Sequence, residues 1–212
     1  MDRTANGIHD DAPPRSNPLS KLQRTVAYVR DQISQVHPTL IVARILLLPL
    51  PRFTFGQVRA AVLRSIGFKI GSKSGFYDMP KIFGRGAFQK QLQVGRACWI
   101  NIGCHFDLSA PIVIGNGVGI GPEVMLMTGT HEMGPENNRT GHYIALPVTI
   151  DDGVWIGARC TIMPGVTIGK GSVIATGTTV TRDVPPNTIL NGTRGMPIEK
   201  WLALTKLGTE AP

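Results

Sequence analysis

Two histidines, His131 and His142, stand in a polar stretch, LMTGTHEMGPENNRTGHYIALP, that interrupts an otherwise aliphatic and glycine-rich chain. An imidazole titrates near pH 6.5 and is suited to accept a proton from an alcohol near neutrality, so His131 is a candidate general base. Upstream, Asn101 and Asp107 follow inward-facing positions. Both suit the hydroxyls of an acceptor, and Asp107 equally suits orienting an imidazole. Each has a plainer reading: a histidine in a glycine-rich loop is commonly just solvated, and an aspartate in a turn commonly forms an Asx-turn. His105, His131 and His142 lack the close pair that a zinc hydratase site needs, so no metal is expected.

What must position these groups is written in steps of six. From 147 to 184 the chain reads PVTIDDGVWIGARCTIMPGVTIGKGSVIATGTTVTRDV. Ile150, Ile156, Ile162, Ile168, Ile174 and Val180 share one phase. Two residues before each stands a smaller or branched one: Val148, Val154, Cys160, Val166, Ser172 and Thr178. Neither a helical nor a plain strand period gives this pattern. A unit of one short strand plus a turn does, wound three units to a coil with about 4.8 Å between equivalent strands. The phase continues through Ile114, Ile120 and Leu126, and upstream through Ile70, Phe76, Ile82, Phe88, Val94, Ile100 and Phe106. A longer step between Phe106 and Ile114 implies an insertion at 108–111, and 127–147 is a second, larger one. Insertions in a solenoid leave outward as loops on one corner, where function collects. The fold class is therefore an all-β solenoid.

The 212 residues suit one domain with an appendage. A formal charge of +8 favours anionic partners. No dense basic run with interleaved aromatics is present, so nucleic acid is not expected. A phosphate-bearing small molecule or an acidic membrane surface fits better. The three cysteines fall on inward positions and read as small hydrophobes in a reducing compartment. Residues 1–18 read as a disordered tail without a secretory signal, which places the expected location in the cytoplasm, peripheral at the inner membrane face.

Residues 19–67 read as a helical region. Ser20 and Gln23 suggest a capping box ahead of a stripe of Leu22, Val26, Val29, Ile33 and Val36. A second helix over 40–48 is apolar on nearly all sides. A third starts from a Thr54–Gln57 capping box and stops at Gly67, with Arg52, Arg59 and Arg64 on its polar side. These helices serve to cap the first coil or to lie against an acidic membrane face. Residues 68–192 form the coil, with an active-site loop at 127–147. Residues 193–212 form a tail with a short closing helix through Ile198, Trp201, Leu202 and Leu204.

The motif TGTH at 128–131, the break after it, and PVTIDDGVWIG through VTRDVPPN closely resemble the hexapeptide-repeat acyltransferases. The resemblance covers roughly 94–191 and is strongest to the sugar O-acetyltransferases, such as the maltose, galactoside and exopolysaccharide enzymes. It implies a left-handed parallel β-helix and a homotrimer with active sites between subunits. It also implies acetyl-coenzyme A as a co-substrate, with no resident cofactor, and acetyl transfer to a hydroxyl of a sugar or polysaccharide precursor. An aminosugar nitrogen and a small-molecule or antibiotic hydroxyl are the alternative acceptors, and a non-catalytic scaffold is the rival outside enzymes.

By the same resemblance, His131 is the catalytic base and Asn101 lies near the acetyl group. Trp155, Ala158, Thr176, Thr181 and Arg182 line the coenzyme. Two departures stand out. The family's acidic acceptor-binding residue falls here on Leu108 or Ser109, with Asp107 adjacent. The basic residue expected at Met196 is missing, which leaves Arg194 to meet the nucleotide phosphates.

Overall fold

The computed structural model describes Gln23, Thr25, Val26, Val29 and residues 37–84, 88–192 and 194–200. The chain divides into two units, 1–36 and 37–212. In the first, the described residues are helical and exposed. The Ser20 cap and the rest of the expected stripe lie outside the described residues.

The second unit is a left-handed parallel β-helix with three faces. The first face stacks β1 (Lys69–Ile70), β4 (Leu92–Val94), β7 (Ile112–Ile114), β12 (Val148–Ile150) and β15 (Thr167–Ile168). The second stacks β2 (Gly75–Phe76), β5 (Trp99–Ile100), β8 (Gly119–Ile120), β13 (Trp155–Ile156), β16 (Val173–Ile174) and β18 (Thr188–Asn191). The third stacks β3 (Lys81–Phe83), β6 (His105–Asp107), β9 (Met125–Leu126), β14 (Thr161–Ile162) and β17 (Thr179–Val180). Register follows the hexads: Ile150 pairs with Ile114 and Ile168, and Ile156 with Ile120 and Ile174. Every residue of the aliphatic phase from Ile70 to Val180 is buried. Removing each such side chain from water contributes about 1.5–3 kcal/mol, and stacking like on like lets the axis fill without gaps. The second row is buried too, including Ser74, Ser172 and Thr178, whose polar atoms bond across rungs.

One hexad is not a rung. Strand β1 pairs directly with β4, so the unit around Phe88 leaves the coil. A short 3₁₀ turn at Phe88–Gln91 carries it, and the ring packs edge-on against Phe68 and close to His37. A long apolar ring satisfied the inward position without the strand, so its phase alone misled. With that excursion, all three interruptions (84–91, 108–111 and 127–147) fall between the third face and the first. The expectation that loops gather at one corner holds.

Two helices, α1 (Pro38–Leu47) and α2 (Gly56–Ser65), precede the coil. Leu40, Ala60 and Leu63 join the same apolar cluster as Phe68, Ile70 and Phe76, so the helices cover the open first coil. Two expectations fail here. Thr54 does not cap α2: its hydroxyl donates to the carbonyl of Pro51, and Phe55 holds the N-cap position in left-handed backbone with no side-chain cap. Arg59 is not on the polar side either; it is 1% exposed and donates to the carbonyls of Leu50, Pro51 and Thr54. The connection between the helices is short of backbone partners, and a buried guanidinium with its fan of donors supplies them. Gly67, at φ 104°, ends α2 as expected.

At the far end, β18 is followed by a further strand, β19 (Arg194–Pro197), antiparallel to it. The tail therefore first closes the second face as a hairpin. Residues 198–200 are helical, and the remainder of the expected closing helix lies outside the described residues. Among the described residues, no helix is long and apolar enough to cross a membrane.

Candidate active site

The long insertion forms an antiparallel hairpin of β10 (Gly129–Met133) and β11 (Thr140–Ala145). His131 sits opposite Tyr143, and their rings meet edge to face at 5.4 Å. The register slips just beyond His131, at Glu132. There the Nδ1 of His131 lies 3.0 Å from the carbonyl oxygen of Gly141. A carbonyl only accepts, so Nδ1 must carry the proton. The neutral ring therefore presents the lone pair of Nε2 outward, as a general base requires. Gly141 is needed at that point. A Cβ there would stand 2.7 Å from the carbonyl oxygen of Glu132, across the hairpin.

Asp107 does not orient the imidazole. It is 3% exposed, and its carboxylate is committed to the base of the hairpin. One oxygen accepts from the backbone N–H and the hydroxyl of Ser109, the other from the N–H groups of Thr128 and Gly129. Its own carbonyl accepts from the Thr128 hydroxyl, which in turn accepts from Ala110 N–H. Ser109 is thus spoken for by Asp107, and Leu108 points into the core. The acidic group at the insertion fixes where the hairpin leaves the coil.

Asn101 begins the turn from the second face to the third. Its side-chain oxygen accepts from the following N–H, of Ile102, and no described residue takes up its NH₂ group. Backbone bonds climb this corner from Asn101 to Ile120, from Gly121 to Ile156, from Gly157 to Ile174 and from Ala175 to Leu190. Above Asn101 the corner is therefore built of small residues, Gly121, Gly157 and Ala175. Gly157 has no room for a side chain: a Cβ would stand 2.7 Å from the N–H nitrogen of Thr176. Ala158 and Thr176 lie on this corner in successive coils, and the N–H of Ala158 meets no acceptor among the described residues. Trp155 projects from the second face at 61% exposure, across Gly119.

Thr181 and Arg182 lie elsewhere, on the corner between the third and first faces, which is also the corner of the hairpin. They border a cavity of about 140 Å³ with Thr179, Leu190 and Gly192. Arg194 pairs with Asn191 on the adjoining hairpin and is exposed. A larger cavity of about 500 Å³ opens under the outer hairpin, lined by Glu132, Met133, Asn138, Gly141 and His142 among others.

The chain thus carries its candidate residues on two corners. Asn101, Ala158 and Thr176 occupy one; His131, Thr181 and Arg182 occupy the next. The third face, several residues wide at about 3.3 Å per residue, separates them. Sequence spacing missed Gly141, Tyr143 and Thr128. No hexad phase marks them, and only the hairpin register brings Gly141 and Tyr143 to His131. Burial raises the thiol pKa of Cys98 and Cys160 and pushes Cys104 up to about 11, so these groups remain protonated and inert.

The bacterial transferase hexapeptide family (six repeats) matches residues 147–182. The chain shares 43% identity over 139 residues with the sophorolipid acetyltransferase of Starmerella bombicola, covering 66% of this chain and 48% of that one. It shares 32% identity over 136 residues with the galactoside O-acetyltransferase of Escherichia coli, covering 64% and 65%. The chain spans about half the length of the curated relatives it matches. Among solved structures, a hexapeptide-repeat acetyltransferase of Vibrio cholerae complexed with acetyl coenzyme A superposes with a TM-score of 0.60 at 30% identity, covering 74% of this chain and 82% of that one. The coil, its hexads and this extended likeness agree, and the chain belongs to the hexapeptide-repeat acetyltransferase family.

Proposed function

We propose that this protein transfers an acetyl group from acetyl-coenzyme A to a hydroxyl of a sugar or a sugar-bearing precursor, with His131 as general base. The observation that carries the reading is the Nδ1 contact of His131 with the Gly141 carbonyl, which leaves Nε2 as an exposed acceptor on a braced hairpin. The likeness to a structure holding acetyl coenzyme A supports the donor. Relatives named for a sophorolipid and for galactosides support a sugar acceptor.

The division of residues between two corners supports a homotrimer in which sites form between subunits. The hairpin corner of one protomer, with His131, Thr181 and Arg182, faces the Asn101–Ala158–Thr176 corner of its neighbour. The pantetheine arm lies along the small residues of that second corner, near Trp155, and Arg194 meets the nucleotide phosphates. In this reading Asp107 and Ser109 serve the acceptor indirectly, as positioning residues that hold the hairpin. The protein works in the cytoplasm.

The reaction needs no covalent enzyme intermediate, because a thioester carbonyl is already reactive. Nε2 of His131 takes the hydroxyl proton as the oxygen attacks, a step worth roughly 10²–10⁴-fold. The tetrahedral oxyanion is met by the Ala158 N–H. As the carbon–sulfur bond breaks, His131 returns its proton to the departing thiolate. Holding donor and acceptor together supplies several kcal/mol more.

The test is release of free coenzyme A thiol from acetyl-CoA across a panel of neutral sugars, aminosugars and small alcohols. Acceptor-dependent release with neutral sugars is expected. Release only with aminosugars would redirect the reading to nitrogen, and no release together with no coenzyme A binding by calorimetry would leave a scaffold.

A further inference from the structure

Among the described residues, none covers one side of α1. Leu40, Ala43 and Leu47 face inward, while Ile41, Val42, Ile45 and Leu46 are exposed and Leu48, in the turn beyond, is 82% exposed. Such side chains are normally the first to be buried, and a contiguous set of them on a surface marks a contact. The connection to α2 adds two more. Phe53 and Phe55 are both exposed, and both are held at positive φ, 62° and 52°, where a bulky side chain is rarely found. That connection is built rather than loose, since buried Arg59 gathers three of its carbonyls.

The sequence that carries this face is rich in one sign of charge. Between Asp31 and Asp78 the sequence has no Asp or Glu. Over the same span Arg44, Arg52, Arg64, Lys69 and Lys73 reach solvent; Arg52 pairs with Asp78, and the other four have no carboxylate partner among the described residues. The aromatic surface is also continuous with the second face. Phe53 meets Tyr77 at 6.0 Å, and Tyr77 stacks on Trp99 at 5.6 Å.

We propose that this face docks on the surface of a lipid bilayer bearing anionic headgroups. Helix α1 lies in the interface with Ile45, Leu46 and Leu48 among the acyl chains. Phe53 and Phe55 enter the headgroup–acyl boundary beside them, and the basic side chains lie among the phosphates. A second copy of the chain would fit the apolar residues equally well. It would bring the same basic side chains, of which only Arg52 has a carboxylate partner among the described residues, against themselves, a like-charge juxtaposition that interfaces avoid. The charge pattern therefore selects lipid. The proposal requires no acetyl transfer and stands or falls apart from it.

The test is co-sedimentation of the purified full chain with phosphatidylcholine vesicles, with and without roughly a third phosphatidylglycerol, at about 0.1 M and about 0.5 M salt. Binding to the anionic vesicles is expected, weakened at high salt and at least about tenfold stronger than to the neutral ones. The double substitution Leu46→Glu with Leu48→Glu should abolish it. Lys69→Glu with Lys73→Glu, which leaves the apolar face intact, should cut anionic binding by about tenfold. Circular dichroism should show both variants keeping the coil. The proposal is overturned if the wild-type chain ignores anionic vesicles, whether residues 1–36 or another copy covers the face, or if binding survives both pairs of substitutions.

Discussion

Asp107 separates a structural role from direct contact with the acceptor. In the native site, its two oxygens receive three N–H groups and one hydroxyl. Asp107→Asn must turn an NH₂ group toward one of these pairs. The better choice faces Ser109, whose hydroxyl can rotate to accept, but the Ser109 N–H is then left without a partner. That orphaned donor costs about 1–3 kcal/mol. The two bonds kept by Thr128 and Gly129 lose the help of a full charge, which costs about 1 kcal/mol more. A total of about 2–4 kcal/mol shifts the urea midpoint by about 1 M at a slope near 2–3 kcal/mol/M. Tryptophan fluorescence at fixed protein concentration reads the midpoint, and thiol release reads turnover. The expectation is a lowered midpoint with a lowered kcat, because the hairpin carrying His131 loses its anchor. An unchanged midpoint with a raised acceptor KM would show that Asp107 touches the acceptor, and the positioning argument would be wrong.

Other perturbations follow from the same geometry. Gly141→Ala forces apart the strands that set the His131 tautomer, and a misplacement of this kind should lower kcat by about 10–100-fold with little change in donor KM. Steady-state kinetics with acetyl-CoA varied would reveal it. Arg59→Met leaves the Leu50 and Thr54 carbonyls unpaired, Pro51 keeping the Thr54 hydroxyl, and should cost about 2–4 kcal/mol, measured by urea unfolding, with Arg59→Lys recovering part of the loss. The cysteines should resist thiol reagents. With its pKa near 11, Cys104 is thiolate in about one molecule in a thousand at pH 8, so labelling should await unfolding. Rapid labelling of the native chain would contradict the inward placement.

The coil was legible because its driving force is local and repetitive. Ile150 and Ile156 each meet an isoleucine one coil away, and Ile162 meets Leu126 and Val180, so a linear count of six reports a three-dimensional stack. The single corner of insertions followed from the same count. Phe88 shows the limit: its side chain is as buried as a rung residue, yet its backbone is a 3₁₀ turn, and burial alone does not specify hydrogen bonding. Arg59 was unreadable for a related reason. An arginine on a helix is usually solvated, and nothing in the sequence shows that the preceding connection lacks donors for its carbonyls. The candidate site was half visible. His131 and Asn101 stand out as polar residues beside a coil, but the partner of the imidazole is a backbone carbonyl ten residues on, and carbonyls leave no trace in a sequence.

The division of the site between neighbouring protomers is tested most directly by mixing. His131→Ala and Asn101→Ala chains, each inactive alone, are unfolded together, refolded in equal amounts and assayed for acetyl transfer. If each site takes its imidazole from one subunit and its asparagine from the next, random trimers restore about a quarter of wild-type activity, because a site needs an intact hairpin facing an intact corner. Mixed trimers confirmed by mass spectrometry that stay as inactive as their parents would show that the two residues serve one protomer.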